Sequence, residues 1–85
     1  MEESKAPVGE VTHYYDKIGV AIVKLSGRLK VGDTISIEGK STNFQQKVES
    51  IQIEHINVEE AGSGESIGLK VSQRVREGDK IYKVF

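Results

Sequence analysis

Turn signals recur roughly every 8–12 residues along this chain, and between them the apolar residues alternate with polar ones. That pattern leaves antiparallel β structure as the main way to fold it. Residues 8–15 put Val11, His13 and Tyr15 on one face of a strand and Thr12 and Tyr14 on the other. Val20–Leu25 is the most apolar run, interrupted by Lys24 alone. It is short and β-branched, which predicts a buried strand and not a helix. Leu29 and Val31 lead into Gly32 and Asp33, after which Ile35 and Ile37 alternate with Thr34, Ser36 and Glu38. Residues 39–43 read as a hairpin loop. Phe44, Gln46 and Val48 keep one phase and Ile51 and Ile53 the opposite one, which predicts a β-bulge near Glu49 and Ser50. Ile56 and Val58 extend the pattern, residues 59–64 form a loop, and Ile67, Leu69 and Val71 alternate again. The last strand holds Ile81, Tyr82, Val84 and Phe85. Half a dozen or so short strands predict a sandwich or a barrel, and a barrel leaves no long unpaired edge.

With 85 residues and no cysteine, the chain has room for one small domain and none for a disulfide framework or a thiolate metal site. Residues 1–7 are acidic and polar and are expected to form a flexible tail, with the β domain spanning residues 8–85. The tail lacks the apolar segment of a signal peptide. No apolar run reaches the ~20 residues of a membrane span. A cytoplasmic protein without membrane contact is the expectation. Twelve Lys and Arg against 13 Asp and Glu give nearly balanced charge, which argues against broad phosphate binding and leaves room for a local basic stripe.

One local pattern occurs twice, as Val31-Gly32-Asp33-Thr34-Ile35 and as Glu77-Gly78-Asp79-Lys80-Ile81. Gly32 and Gly78 are expected at positive φ, with Asp33 and Asp79 capping backbone N–H groups beside the strand that follows.

The residues that could carry chemistry are few. Gly64, Ser66 and Gly68 match Gly-x-Ser-x-Gly, but a strand pattern follows the serine where a nucleophile elbow needs a helix. His13 and His55 are the two histidines of the chain, fewer than a zinc site requires. Glu59, Glu60 and Glu65 read as a solvated acidic loop. No catalytic residue, metal ligand or cofactor is therefore assigned. Tyr14 and Tyr15, adjacent on a strand, must point opposite ways, so one is available to stack on a base or anchor a protein. Arg74 and Arg76, with Lys80, Lys83, Arg28 and Lys30 near the two Gly-Asp turns, suggest a basic rim for phosphate or carboxylate.

Longer strings in register carry a resemblance. Gly19-x-Ala21-x-Val23 is followed by Gly27-x-Leu29-x-Val31-Gly32-Asp33-x-Ile35-x-Ile37-x-Gly39. Val48-x-Ser50-Ile51-Gln52, Val58-Glu59-Glu60-Ala61-x-x-Gly64-x-x-Ile67-Gly68-Leu69 and Gly78-Asp79-x-Ile81 complete them. Together they resemble the second domain of translation GTPases of the elongation factor Tu type, and small stand-alone elongation-factor-like proteins. A similar barrel ends some collagenase-like peptidase-family proteins, a group that includes RNA-modifying enzymes. The resemblance implies an all-β, closed or nearly closed antiparallel β-barrel. It also implies a binding surface near Gln52, Glu54 and Ser66. Gln52 stands where the elongation factor type carries an acid. No phosphate loop of the Gly-x-x-x-x-Gly-Lys-Ser/Thr kind is present, so the chain alone is not expected to bind GTP. The leading expectation is a non-catalytic module that contacts RNA or a ribonucleoprotein through Tyr14, Tyr15, Gln52, Glu54, Ser66, Arg74 and Arg76. The alternative is an accessory domain that docks onto a collagenase-like or RNA-modifying enzyme subunit.

Overall fold

Alternation becomes strand along most of the chain. The computed structural model describes residues 4–85, and among them there are ten β-strands and no helix. In chain order they are β1 (Lys5–Tyr15), β2 (Val20–Leu25), β3 (Leu29–Lys30), β4 (Thr34–Glu38) and β5 (Asn43–Lys47). There follow β6 (Ile51–Ile53), β7 (Ile56–Val58), β8 (Glu60–Ala61), β9 (Ser66–Lys70) and β10 (Lys80–Val84). The count exceeds the expected half dozen because β3, β6, β7 and β8 are only two or three residues long. Eight strands form one antiparallel sheet in the order β5-β4-β10-β1-β2-β9-β6-β7, and β3 pairs with β8. The inward side chains of Val23, Leu29, Ile35, Ile37, Ile51, Leu69 and Ile81 are fully buried and form the core.

The strand ladder does not close into a ring: among the described residues, its order ends at β5 and β7. A side chain spans from β5 to the end of β9. The Gln46 amide Nε2 donates to the Lys70 carbonyl at 2.9 Å, and its Oε1 accepts the Ser72 N–H at 2.8 Å.

Two irregularities in β1 re-aim its side chains. Its register slips between Pro7 and Gly9 against β10, and between Val11 and His13 against β2. The second slip corrects the sequence reading. It inserts Thr12 as an extra residue, so buried Val11 and core-packed Tyr14 face inward while His13 and Tyr15 face out. Strand β1 also begins at Lys5, so residues 5–7 of the expected tail lie in the sheet, while residues 1–3 fall outside the described part. Pro7 is accommodated because β1 pairs with β10 there but not yet with β2. Lys5 anchors this end through a 2.8 Å ion pair to Glu38. That ion pair, followed by the hydrogen bond from the Ser36 hydroxyl, holds the Glu38 carboxyl below the ordinary glutamate range.

The expected bulge near Glu49 and Ser50 is a full break. Val48 and Ile51 are both buried, but residues 48–50 belong to no strand, and β5 and β6 join different neighbours. The last contacts before the break are made to the first Gly-Asp turn. Val48 donates its N–H to the Asp33 carbonyl at 2.8 Å and accepts the Gly32 N–H at 2.9 Å. These bonds carry the β4–β5 register one residue past Lys47, and the chain leaves the ladder after Val48.

The two Gly-Asp turns share one geometry. Gly32 has φ 96° and Gly78 has φ 93°. Each aspartate N–H donates back three residues, Asp33 to the Lys30 carbonyl and Asp79 to the Arg76 carbonyl, both at 3.1 Å. Each carboxylate accepts the N–H of that same upstream residue, Lys30 at 3.0 Å and Arg76 at 2.9 Å. The carboxylates therefore cap backward into the turn. A side chain at Gly32 or Gly78 would meet no atom within 4 Å, so a substitution there carries conformational strain without a clash. Gly32→Val and Gly78→Val are each expected to destabilise the domain by roughly 1–3 kcal/mol in urea unfolding. Parent-like midpoints for both would refute the strain argument.

Gly39 packs against the second turn. An added Cβ there would overlap the Asp79 Oδ1 atom and lie 2.7 Å from its Cγ. Asp79 is buried, so this glycine is where the β4–β5 loop and the β10 turn touch.

Candidate functional site

The first two outward positions of β2 are apolar where a solvent-facing strand would be polar, and Lys24 is the third. Val20 and Ile22 both point out and are half-buried. They stand on the wall of a concavity of about 440 Å³, together with Tyr15 and Ile18 from the β1–β2 hairpin. Opposite them stand Gln52, Glu54 and His55, and β9 contributes Ser66, Ile67 and Gly68.

The floor owes its depth to Gly68. This residue pairs with Ile22 on one side and Gln52 on the other, so it sits mid-sheet without a side chain. A Cβ there would lie 3.5 Å from Val20 Cγ1 and 3.8 Å from Gln52 Cβ, an ordinary contact distance. The space is open by sequence choice and not by steric need. Glycine in a strand interior weakens the strand and commonly marks a close approach by another group.

The far wall is built on a strained turn. Ile53 pairs with Ile56, so Glu54 and His55 form a two-residue hairpin loop. Their φ values are 50° and 66°, both left-handed. A turn with both central residues at positive φ strongly prefers Asn-Gly or a similar pair. Here it holds a glutamate and a histidine, and both line the groove. Gln52 is fixed beside them by its amide, which donates to Asn57 Oδ1 at 3.1 Å. On the near wall, Tyr15 meets the His13 ring edge to face at 4.5 Å, and His13 Nδ1 lies 3.2 Å from Glu77 Oε2.

Large apolar side chains crowd the same region. Tyr15 and Ile18 are 49% and 65% exposed and both line the groove, while Ile56, 66% exposed, pairs with core-packed Ile53 and does not line it. No Lys or Arg lines the groove, and no ion pair engages Glu54 among the described residues. A second concavity, of about 450 Å³, holds Glu10, Lys24 and Lys80, but there Glu10 and Lys80 already pair with each other.

Four of the seven candidate residues, Tyr15, Gln52, Glu54 and Ser66, thus line one groove. Tyr14 is turned into the core. Arg74 and Arg76 are exposed but stand outside the groove, and the Arg76 N–H is engaged by Asp79. Sequence reasoning missed Ile18, Val20, Ile22, His55 and Gly68. The signal for Val20 and Ile22 lies in the apolar run of β2, which taken alone predicts a buried strand. Ser66 and His55 share the groove, but no side-chain hydrogen bond joins them among the described residues, and Ser66 opens a strand. No group of three or more potential metal ligands occurs among the described residues. Nor is any helix among them long and apolar enough to cross a membrane.

No family model matches the chain. Individual proteins do. It is 46% identical over 79 residues to an uncharacterized protease of Methanocaldococcus jannaschii, a match covering 92% of this chain and 19% of that protein. It is 41% identical over 81 residues to a collagenase of Porphyromonas gingivalis, covering 93% of this chain and 22% of the collagenase. The chain thus spans about a fifth of the length of these curated relatives. Among solved structures, its fold matches the C-terminal domain of a Geobacillus thermoleovorans protein described as a U32 peptidase. The TM-score is 0.85 at 24% identity, with 89% of both chains covered. The selenomethionine form of that domain gives the same TM-score at 23% identity, covering 89% of this chain and 96% of that one. These likenesses support the collagenase-like side of the resemblance. They lend no support to the elongation factor Tu side.

Proposed function

We propose that this chain is a non-catalytic docking domain of the collagenase-like peptidase type, and that the groove between the β1–β2 and β6–β7 hairpins receives an enzyme partner. The observation that carries this reading is the exposed apolar pair Tyr15 and Ile18 beside a floor kept open by Gly68. Exposed apolar surface that rims a concavity is a mark of protein contact. A phosphate backbone would need cations, and the groove presents a carboxylate instead. The barrel description belongs to this proposal as well. With Gln46 spanning from β5 to the end of β9, we read the sheet as a barrel with one side-chain seam.

Affinity capture from the native lysate, with and without nuclease, tests the reading. The parent chain is expected to retain a peptidase-type polypeptide whether or not nuclease is added. Gly68→Val, which fills the floor, is expected to lose it while melting within a few degrees of the parent. Nuclease-sensitive capture, or full capture by a folded Gly68→Val, would overturn the proposal.

A further inference from the structure

The groove's charge is incomplete in a specific way. Glu54 is held at its wall by a left-handed backbone, yet among the described residues no ion pair meets its carboxylate. An apolar group seated there would strip water from that carboxylate and offer no partner in return, which is costly. A cation would complete it. The other surfaces suit a side chain that is apolar along its stem and charged at its tip. Val20, Ile22 and Gly68 give an apolar bed, and Tyr15 gives an aromatic wall. Arginine and lysine bury their methylene stems on such beds and carry the charge beyond them. A guanidinium can also stack on a tyrosine while bonding to a carboxylate. The volume of about 440 Å³ leaves room for flanking residues of the same segment.

We propose that the groove recognises an arginine or lysine side chain presented by the partner, with Glu54 as the residue that selects for positive charge. This rests on the docking reading given above and adds the chemistry of the occupant. Glu54 engages the cation, Gly68 and Val20 carry its stem, and Tyr15 bounds it on the open side.

Titrating the isotope-labelled chain with N-acetyl-arginine amide, N-acetyl-citrulline amide and N-acetyl-leucine amide separates the alternatives. The arginine amide is expected to move the backbone NMR signals of Tyr15, Glu54 and Gly68. The neutral citrulline isostere and the leucine amide are expected to bind about tenfold more weakly or less. Glu54→Gln should retain the parent fold and erase the preference for arginine over citrulline. Leucine amide binding as well as arginine amide, an arginine preference that survives Glu54→Gln, or silence from all three probes would each overturn the proposal. The two readings also fail separately. If Gly68→Val loses the captured partner while Glu54→Gln keeps it in full, the docking reading stands and the cation is wrong. If folded Gly68→Val keeps the partner, the docking reading itself falls.

Discussion

Replacing Gly39 with alanine is expected to lower the melting temperature by about 10–20 °C, a loss of roughly 2–3 kcal/mol for a domain of this size. Geometry sets the scale. The new methyl would overlap the Asp79 carboxylate, which is buried and bonded at 2.9 Å to the Arg76 N–H. A free side-chain tip would swing aside at little cost. This one can move only by giving up the bond that closes the turn before β10. The domain must then either strain the β4–β5 loop or leave a buried carboxylate short of its partner. A double-mutant cycle sharpens the test. Asp79→Ala alone should destabilise by removing the turn bond, but adding Gly39→Ala to it should cost much less than in the parent. A Gly39→Ala variant melting within about 2 °C of the parent would show that the loop yields freely and that the contact is unimportant.

The second large effect runs the opposite way. Changing Glu54-His55 to Asn-Gly should stabilise the domain by about 1–2 kcal/mol, because asparagine tolerates and glycine freely adopts the left-handed backbone that both positions hold. In a chain of 85 residues that raises the melting temperature by about 5–15 °C. The same change removes both groove-lining side chains of the turn, so capture of the partner should fall by tenfold or more, about 1.4 kcal/mol or greater. A more stable domain that binds less well is the signature of strain retained for function. Unchanged stability would show that the turn is relaxed with its native residues. Undiminished capture by the stabilised variant would remove Glu54 and His55 from the interface.

The sequence carried the class of the fold because alternation is a local property. Ile35 and Ile37, or Ile67 and Leu69, announce their inward face without reference to anything distant. The irregularities were harder to read because their causes are not local. Thr12 became an extra residue through a register that β2 imposes on β1. The point where the chain leaves the β4–β5 ladder follows backbone bonds between Val48 and a turn some fifteen positions earlier. The groove was half legible for the same reason. Gln52, Glu54 and Ser66 came from a resemblance, and Tyr15 from strand parity. Arg74 and Arg76 join the candidates through their place near the second Gly-Asp turn, and no strand pairing brings those arginines to the groove. His55 looked ordinary because its importance lies in a backbone angle. Gly68 looked like one residue of a weak motif because its importance lies in what stands on either side of it.

Strand β10 sits between β1 and β4, and its pairing with β1 joins Val84 to Lys5. That arrangement fixes an order of assembly. The β1–β2, β4–β5 and β6–β7 hairpins close short loops and can form as the chain leaves the ribosome. The strand that unites the first two of them is the last of the ten in chain order and must close a loop spanning nearly the whole domain, which places the domain among the slower-folding topologies. Until β10 arrives, β1 and β4 both present unpaired backbone to any strand nearby. The period between the synthesis of β5 and the insertion of β10 is therefore when a nascent chain is most exposed to mispairing with its neighbours.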